Sequence, residues 1–309
     1  MDDSNFSGEY SIGICATGHS ENIRNLIESI ERDDLSKEFY LNKIVIVASD
    51  CTPDSLKLCK MFASKDTRIV LIEEKSRNGK AQAINRIISE THGKYLLMVN
   101  SDAVPSAGSI NRLLKMICKE ESIGMVSGCP TFGYRNGATS EILQLMWKLH
   151  NQSSLILNHK QLSNHCSDEL MVIRRTALNQ LPNGVVNDGA FMASMAAQRG
   201  YSIKFCESAS VNIDVPKRFV DLILQRRRIM FGHMQVKKLT GRAPITIESL
   251  LFIAPMLGLG VTVTILARFP RLLKVLPIAI VGEATSFLLA LADSLRSSDR
   301  HAVWKRYAD

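Results

Sequence analysis

Between residues 10 and about 120 the apolar pattern switches repeatedly between a strand period and a helical one, and this alternation most narrows what the chain can fold into. Residues 11–16 (SIGICA) form a short apolar strand. The segment SENIRNLIESIER then places Ile23, Leu26, Ile27 and Ile30 on one helical face. The β-branched strand NKIVIVAS, the helix PDSLKLCKMFAS, the strand TRIVLIEE and the helix GKAQAINRIISET follow in turn. The strand KYLLMVN and the helix SAGSINRLLKMICKE complete the run. Strands alternating with helices of this length predict an α/β fold, with a mostly parallel central sheet covered on both faces. Residues 121–215 are less regular. IGMVSG, ELMVIRR and GYSIKF read as strands and DGAFMASMAAQRG as a helix, a second half of the same domain.

Lys and Arg exceed Asp and Glu by 38 − 30 = 8 over the 309 residues, and much of the excess lies beyond residue 216. A basic surface favours anions such as nucleoside diphosphates or acidic lipid headgroups. Aromatic residues make up only 6% and do not interleave with the basic clusters, which argues against nucleic acid as a partner. The seven cysteines are scattered with no C-x-x-C pair, so neither a zinc site nor a disulfide framework is indicated. An odd count suits a reducing compartment. The polar, acidic opening MDDSNFSGEY has no signal-peptide character, and the catalytic part is expected to face the cytoplasm. His19, His150, His159 and His165 show no metal-ligand spacing, and Trp147 lies on an apolar helical stripe that suits a core.

The strand at residues 94–100 runs straight into Asn100-Ser101-Asp102, and a proline closes the turn at Pro105. Asn, Ser and Asp suit turns, but carboxylates at the C-terminal edge of a strand are also where α/β proteins hold metal and nucleotide. Three other stretches of the same kind lie along the chain. Ser49-Asp50 ends the strand NKIVIVAS, with Asp54 four residues on, where it is placed to cap the next helix. Arg77-Asn78-Gly79-Lys80 opens a helix, so that a glycine and a lysine flank a site suited to anions. Asn187-Asp188 opens another helix, where Asp188 is itself placed to act as a cap.

Taken in order, these stretches resemble family-2 glycosyltransferases, the inverting class with the GT-A fold, over residues 10–235. NKIVIVASDCTPDS is similar to the V-V-D-D-G-S-T-D-G-T signature, with Ser49 in place of the first aspartate and Asp50 at the second. Gly79-Lys80-Ala81 is similar to G-K-A-x-A-L-N. Asn100-Ser101-Asp102 sits at the Asp-x-Asp position, and Asn187-Asp188 at the Glu-Asp position. The resemblance implies that Asp50, Gly79, Lys80 and Ser101 bind the nucleotide. Asp102 and Asn100 would hold a divalent metal, Mg²⁺ or Mn²⁺, and Asp188 would be the general base. Gln225-Arg226-Arg227-Arg228-Ile229 resembles the Gln-x-x-Arg-Trp motif of members that act on polysaccharide or lipid acceptors at membranes, which implies that Gln225 and Arg228 serve the diphosphate and acceptor end. Arg226 and Arg227 are expected to form a solvated basic face or a patch against acidic lipid.

After Pro244 the character changes. Residues 249–267 are an uncharged run of near membrane-spanning length, and residues 275–292 are a second apolar run interrupted by Glu283. The expected division is a glycosyltransferase domain over residues 1–240 and a membrane-associated helical hairpin with a basic tail over 241–309. The connecting ARFPRLLK carries three basic residues, which the positive-inside rule disfavours for a translocated loop. The resemblance implies transfer of a sugar from a nucleotide-sugar, UDP-linked in preference to GDP-linked, to a lipid or glycan hydroxyl at the cytoplasmic membrane face. A polyprenyl-phosphate glycosyltransferase is a narrower alternative, against which stands the AVP that follows Asp102. A non-catalytic nucleotide-sugar-binding homologue is another, suggested by Ser49, Asn100 and Asn187 standing where acidic residues are usual.

Overall fold

The alternation of periods becomes a single curled sheet of eight strands among the residues described in this computed structural model, which are 8–18, 20–33, 38–296 and 301–303. The first half runs β1 (Gly8–Gly18), α1 (Ser20–Glu31), β2 (Phe39–Cys51), α2 (Pro53–Lys65), β3 (Ile69–Glu74), α3 (Lys80–Glu90), β4 (Tyr95–Asn100), β5 (Ala103–Pro105) and α4 (Ser109–Cys118). The second half adds β6 (Ile123–Thr131), α5 (Ala138–His159), β7 (Leu170–Arg174), α6 (Asp188–Gln198), β8 (Ser202–Ile213) and α7 (Phe219–Thr240). The strand order is β3-β2-β1-β4-β7-β6-β8-β5, with β7 and β5 antiparallel to their neighbours and the rest parallel. His19 lies outside the described residues.

Both faces of the sheet are buried, as the apolar runs predict for parallel strands. Ile44 and Ile46 of β2 point to one face, where they pack with α1, α2 and α4. Val45 and Val47 point to the other and pack with α3 and α6. Strand β4 divides in the same way: Tyr95, Leu97 and Val99 lie on the first face, Leu96 and Met98 on the second. Trp147 on α5 packs against the first core, as its stripe predicts.

Two consequences of this topology position a site. Strand β1 pairs in parallel with β2 on one side and β4 on the other, so Gly18, Asp50 and Asn100 emerge at one sheet edge. Strand β7 runs antiparallel to β4, with Leu170 opposite Val99, so β7 enters the sheet where β4 leaves it. The residues just before β7 therefore reach that same edge.

Helix α2 corrects the expectation for Asp54. Thr52 is the cap, its Oγ1 accepting from Ser55 N at 3.3 Å, with Pro53 in the first turn and Asp54 behind it. Proline is preorganised for the first helical position, which fixes the helix start one residue before Asp54.

Residues beyond 241 differ more from expectation. The uncharged run at 249–267 is broken into α8 (Ile247–Ile253) and α9 (Pro255–Arg268), because Pro255 has no N–H to continue the helix. A two-turn 3₁₀ helix (Pro270–Val275) leads into α10 (Leu276–Arg296), so there are three α-helices in place of a hairpin. These elements pack on α5 and α7 through a core of Leu143, Leu222, Ile265, Leu272 and Val275. Parts of the basic C-terminal tail, 297–300 and 304–309, lie outside the described residues.

Arg226 and Arg227 are not a solvated face. Arg226 bridges Glu283 of α10 (Nε–Oε1 2.8 Å) and Glu248 of α8 (2.7 Å), and Arg227 clamps Asp293 of α10 with bonds of 2.6 and 2.7 Å. The helical spacing that put them away from Gln225 and Arg228 turned them toward the later helices. Arg226→Ala would leave two carboxylates facing each other without a cation. It is expected to cost about 2–4 kcal/mol of stability, read as a lower midpoint in urea unfolding. An unchanged midpoint would show that the network is solvated.

Candidate active site

The edge formed by β1, β2, β4 and the start of β7 collects four of the predicted stretches. Asp50 ends β2 with a positive φ of 51°, a conformation that aspartate tolerates better than most residues. Its exposed carboxylate meets Arg77 Nε at 3.1 Å. Ser49 donates to Glu74 Oε2 at 2.5 Å, and Glu74 in turn pairs with Arg86 at 2.8 Å. A carboxylate from β3 thus sits beside the position where the family signature has its first aspartate.

Gly79 precedes α3 with φ 93°, and no side chain caps that helix. A side chain at residue 79 would also meet the carbonyl of Ala302 at 3.0 Å, which explains the glycine on two counts.

Lys80 is the hub. Its Nζ lies 2.6 Å from Asp168 Oδ2 and 3.1 Å from Asp188 Oδ2. Burial opposes its charge, but the two carboxylates outweigh that and push its pKa upward. Asp168, about a third exposed, feels burial first. Lys80 and Arg228 more than offset it and hold the carboxyl at about 2. Asp188 is nearly inaccessible, and burial together with the Asp168 charge raises its pKa against the pull of Lys80.

Asp188 does not cap its helix. Asn187 does, its Oδ1 accepting from Ala190 N at 3.0 Å. The amide next to Asp188 takes the structural task, which leaves the Asp188 carboxylate to point at Lys80. Arg228 reaches this corner from α7 and donates to the Val186 carbonyl at 3.3 Å. Gln225, on the same helix, is half-buried.

Asn100, Ser101 and Asp102 leave β4 as predicted, with Ser101 buried and Asp102 half-buried. Asn100 Nδ2 donates to Glu169 Oε2 at 2.9 Å, and its backbone N–H bonds the Glu169 carbonyl at 3.2 Å. Burial and the nearby charges of Asp168 and Asp102 push Glu169 up to about 8. Among the described residues no three His, Cys, Asp or Glu converge on one point for a metal. Mg²⁺ and its analogues need only one or two protein carboxylates when phosphates and water supply the rest. Asp102 with the amide oxygen of Asn100 fits that requirement.

Asp168 and Glu169 are the residues that reading the sequence missed. Their only signal was an acidic pair at the start of the strand ELMVIRR, Asp168 just before it and Glu169 its first residue, and such pairs are common on surfaces. His150 of α5, His165 of the loop before β7 and His233 of α7 also meet edge-to-face, with ring centroids 6.0 and 5.5 Å apart. Burial holds all three below the ordinary imidazole range, His233 at about 4.

Known proteins of similar sequence and shape place this geometry. Among solved structures, the mannosyltransferase PcManGT from Pyrobaculum calidifontis, in complex with GDP-Man and Mn²⁺, superposes with a TM-score of 0.64 at 17% identity, over 94% of this chain and 87% of that one. GalNAc-T7 with UDP, GalNAc and Mn²⁺ gives 0.55 at 14% identity, over 77% of this chain and 48% of that one. These likenesses establish the GT-A fold. Glycosyltransferase GlyG of Streptococcus pneumoniae serotype 4 is 29% identical over 98 residues, 31% of this chain and about a third (32%) of its own length. The sequence profile described as Glycosyl transferase family 2 matches residues 11–181, from β1 to beyond the acidic pair at the start of β7. That segment is more than half of the molecule, and on it the chain belongs to glycosyl transferase family 2.

Proposed function

We propose that this chain is an inverting glycosyltransferase, moving a hexosyl group from a nucleoside-diphosphate sugar to a hydroxyl of a lipid or glycan at the cytoplasmic face of a membrane. The observation that carries the reading is Asp188, a carboxylate of raised pKa held 3.1 Å from Lys80 at the edge that also presents Asp102. In a single displacement the acceptor oxygen bonds the anomeric carbon as the bond to the diphosphate oxygen breaks. The hydroxyl proton passes to the Asp188 carboxylate, and the configuration inverts. A raised pKa suits a base that must hold that proton once it has accepted it.

Lys80 and Arg228 supply positive charge for the diphosphate, with Gln225 on the same face of α7 toward the acceptor. Asp50 and Arg77, at the far end of the edge, suit the base and ribose, with Gly79 and Ser101 beside them. The exposed Asp50 carboxylate can accept from the N–H of a base such as uracil or from ribose hydroxyls. A divalent ion, Mg²⁺ or Mn²⁺, held by Asp102 and Asn100 would neutralise the charge developing on the departing diphosphate.

A screen of nucleotide-sugars for metal-dependent hydrolysis and transfer tests the reading. With the best donor, Asp102→Ala is expected to lower the metal-dependent rate at least about 100-fold. Asn100→Asp should keep activity with metal present, but lower stability without it, because a second carboxylate would then face Glu169. Normal turnover in Asp102→Ala removes the metal assignment. Nucleotide binding without transfer to any acceptor would favour the non-catalytic reading.

A further inference from the structure

We infer that α8–α10 form an in-plane anchor that lies on an anionic bilayer surface and does not cross it. This rests on the membrane-associated reading above and fixes its geometry. By length and composition the segment Pro270–Arg296 could span a bilayer. Its packing argues otherwise. Ala279, Gly282, Ser286, Ala290 and Asp293, spaced three or four residues apart, form a buried stripe along nearly all of α10.

That stripe is docked on α7. Gly282 lies where a side chain would meet the Phe219 ring at 3.1 Å, Ser286 donates to the Ile223 carbonyl at 3.2 Å, and Asp293 is clamped by Arg227. These three contacts, from Phe219, Ile223 and Arg227 on α7 to Gly282, Ser286 and Asp293 on α10, run in the same order along both helices, so the two lie parallel, and the Arg226–Glu283 pair ties them further. Helix α7 belongs to the catalytic domain: Gly232 packs against Asn187, and Gln235 bonds the backbone of Val186 and Gly184. Driving α10 through hydrocarbon would carry Arg226, Arg227, Arg228 and the site behind them into the bilayer, which charged side chains oppose strongly.

The opposite faces of these helices are apolar and open. Phe252 is 87% exposed, Met256 83% and Leu295 81%, with Val263, Val281 and Leu288 each more than 60% exposed. Exposed Arg268 and Arg296 end α9 and α10, and the 3₁₀ helix between them carries exposed Arg271 and Lys274, the latter in a surface pair with Glu141. An apolar face bordered by basic residues matches a bilayer interface rich in acidic headgroups. A second copy of the chain would meet these basic borders with its own, so the lipid is the better-matched occupant.

The test uses full-length protein and sealed phosphatidylcholine vesicles, with and without phosphatidylglycerol. Flotation with the vesicles, stronger with phosphatidylglycerol, is expected. Leu288→Glu should weaken it by about tenfold or more, with an unfolding midpoint like that of wild type. Depth is then read from Val281→Trp, Leu288→Trp and Leu295→Trp with lipids brominated at different acyl positions, after subtracting the signal of the unsubstituted protein. An in-plane helix places all three at one shallow depth. A spanning helix separates residues 281 and 295 by about 20 Å along its axis, and such a gradient would overturn the in-plane geometry while leaving membrane association intact. Unchanged flotation of Leu288→Glu would also overturn it. Failure of the wild type to float on either vesicle would sink the membrane reading itself, and a dimer split by Leu288→Glu would name a second copy as the occupant.

Discussion

Asp188→Asn is expected to lower turnover by about 10²–10⁴-fold, the usual contribution of a general base, while nucleotide affinity measured by calorimetry stays near that of wild type. The substitution keeps the shape of the side chain and removes its negative charge and its capacity to take up a proton, while Asp168 still pairs with Lys80 at 2.6 Å. Because Asn187 is the cap of α6, helix stability should hardly change. A pH profile gives a second readout. The Asp188 pKa is raised, chiefly by burial and then by Asp168. The protonated, inactive form therefore persists above the ordinary carboxylate range, and kcat/KM should rise with pH through a limb displaced upward. Asp188→Asn should abolish that limb. A fully active variant would move the search for the base to Asp168, the carboxylate on the other side of Lys80.

Lys80→Ala should do damage of a different kind. It removes the cation between Asp168 and Asp188, so one of the two must protonate or the site must open. Breaking a buried pair typically costs 3–5 kcal/mol, and the third of Asp168 that meets solvent reduces this to about 2–4 kcal/mol. Donor affinity should fall together with stability, since in the proposed function the same Nζ supplies positive charge for the diphosphate. Adding Asp168→Asn to Lys80→Ala should restore part of the stability and none of the affinity. If the single variant unfolds at the wild-type urea concentration, the three groups are separately solvated and the cluster has no shared energy.

The two variants report on residues of unequal legibility. Asp188 and Lys80 were visible in the sequence because each opens a helix within a recognisable order of motifs. What those residues touch was not visible. Asp188 and Asn187 are equally good caps on paper, and only the hydrogen bond to Ala190 N assigns that task to Asn187. Asp168 and Glu169 carry no local pattern, and they become site residues because β7 runs antiparallel beside β4. Arg226 and Arg227 looked like a solvated patch because nothing in a run of three arginines reveals Glu248, Glu283 and Asp293 from distant helices.

The sequence by itself determined the alternation of elements, the parallel half of the sheet, the glycine before Lys80 and the carboxylate at the end of β4. Each follows from local causes: side-chain periodicity, backbone freedom and the chemistry of turns. Tertiary structure alone decided which carboxylate meets the lysine and which arginines are neutralised, and it laid the last apolar helix along α7. Those outcomes depend on strand order and helix docking. Both are set by burying apolar area between segments far apart in the chain, which no window of neighbouring residues encodes.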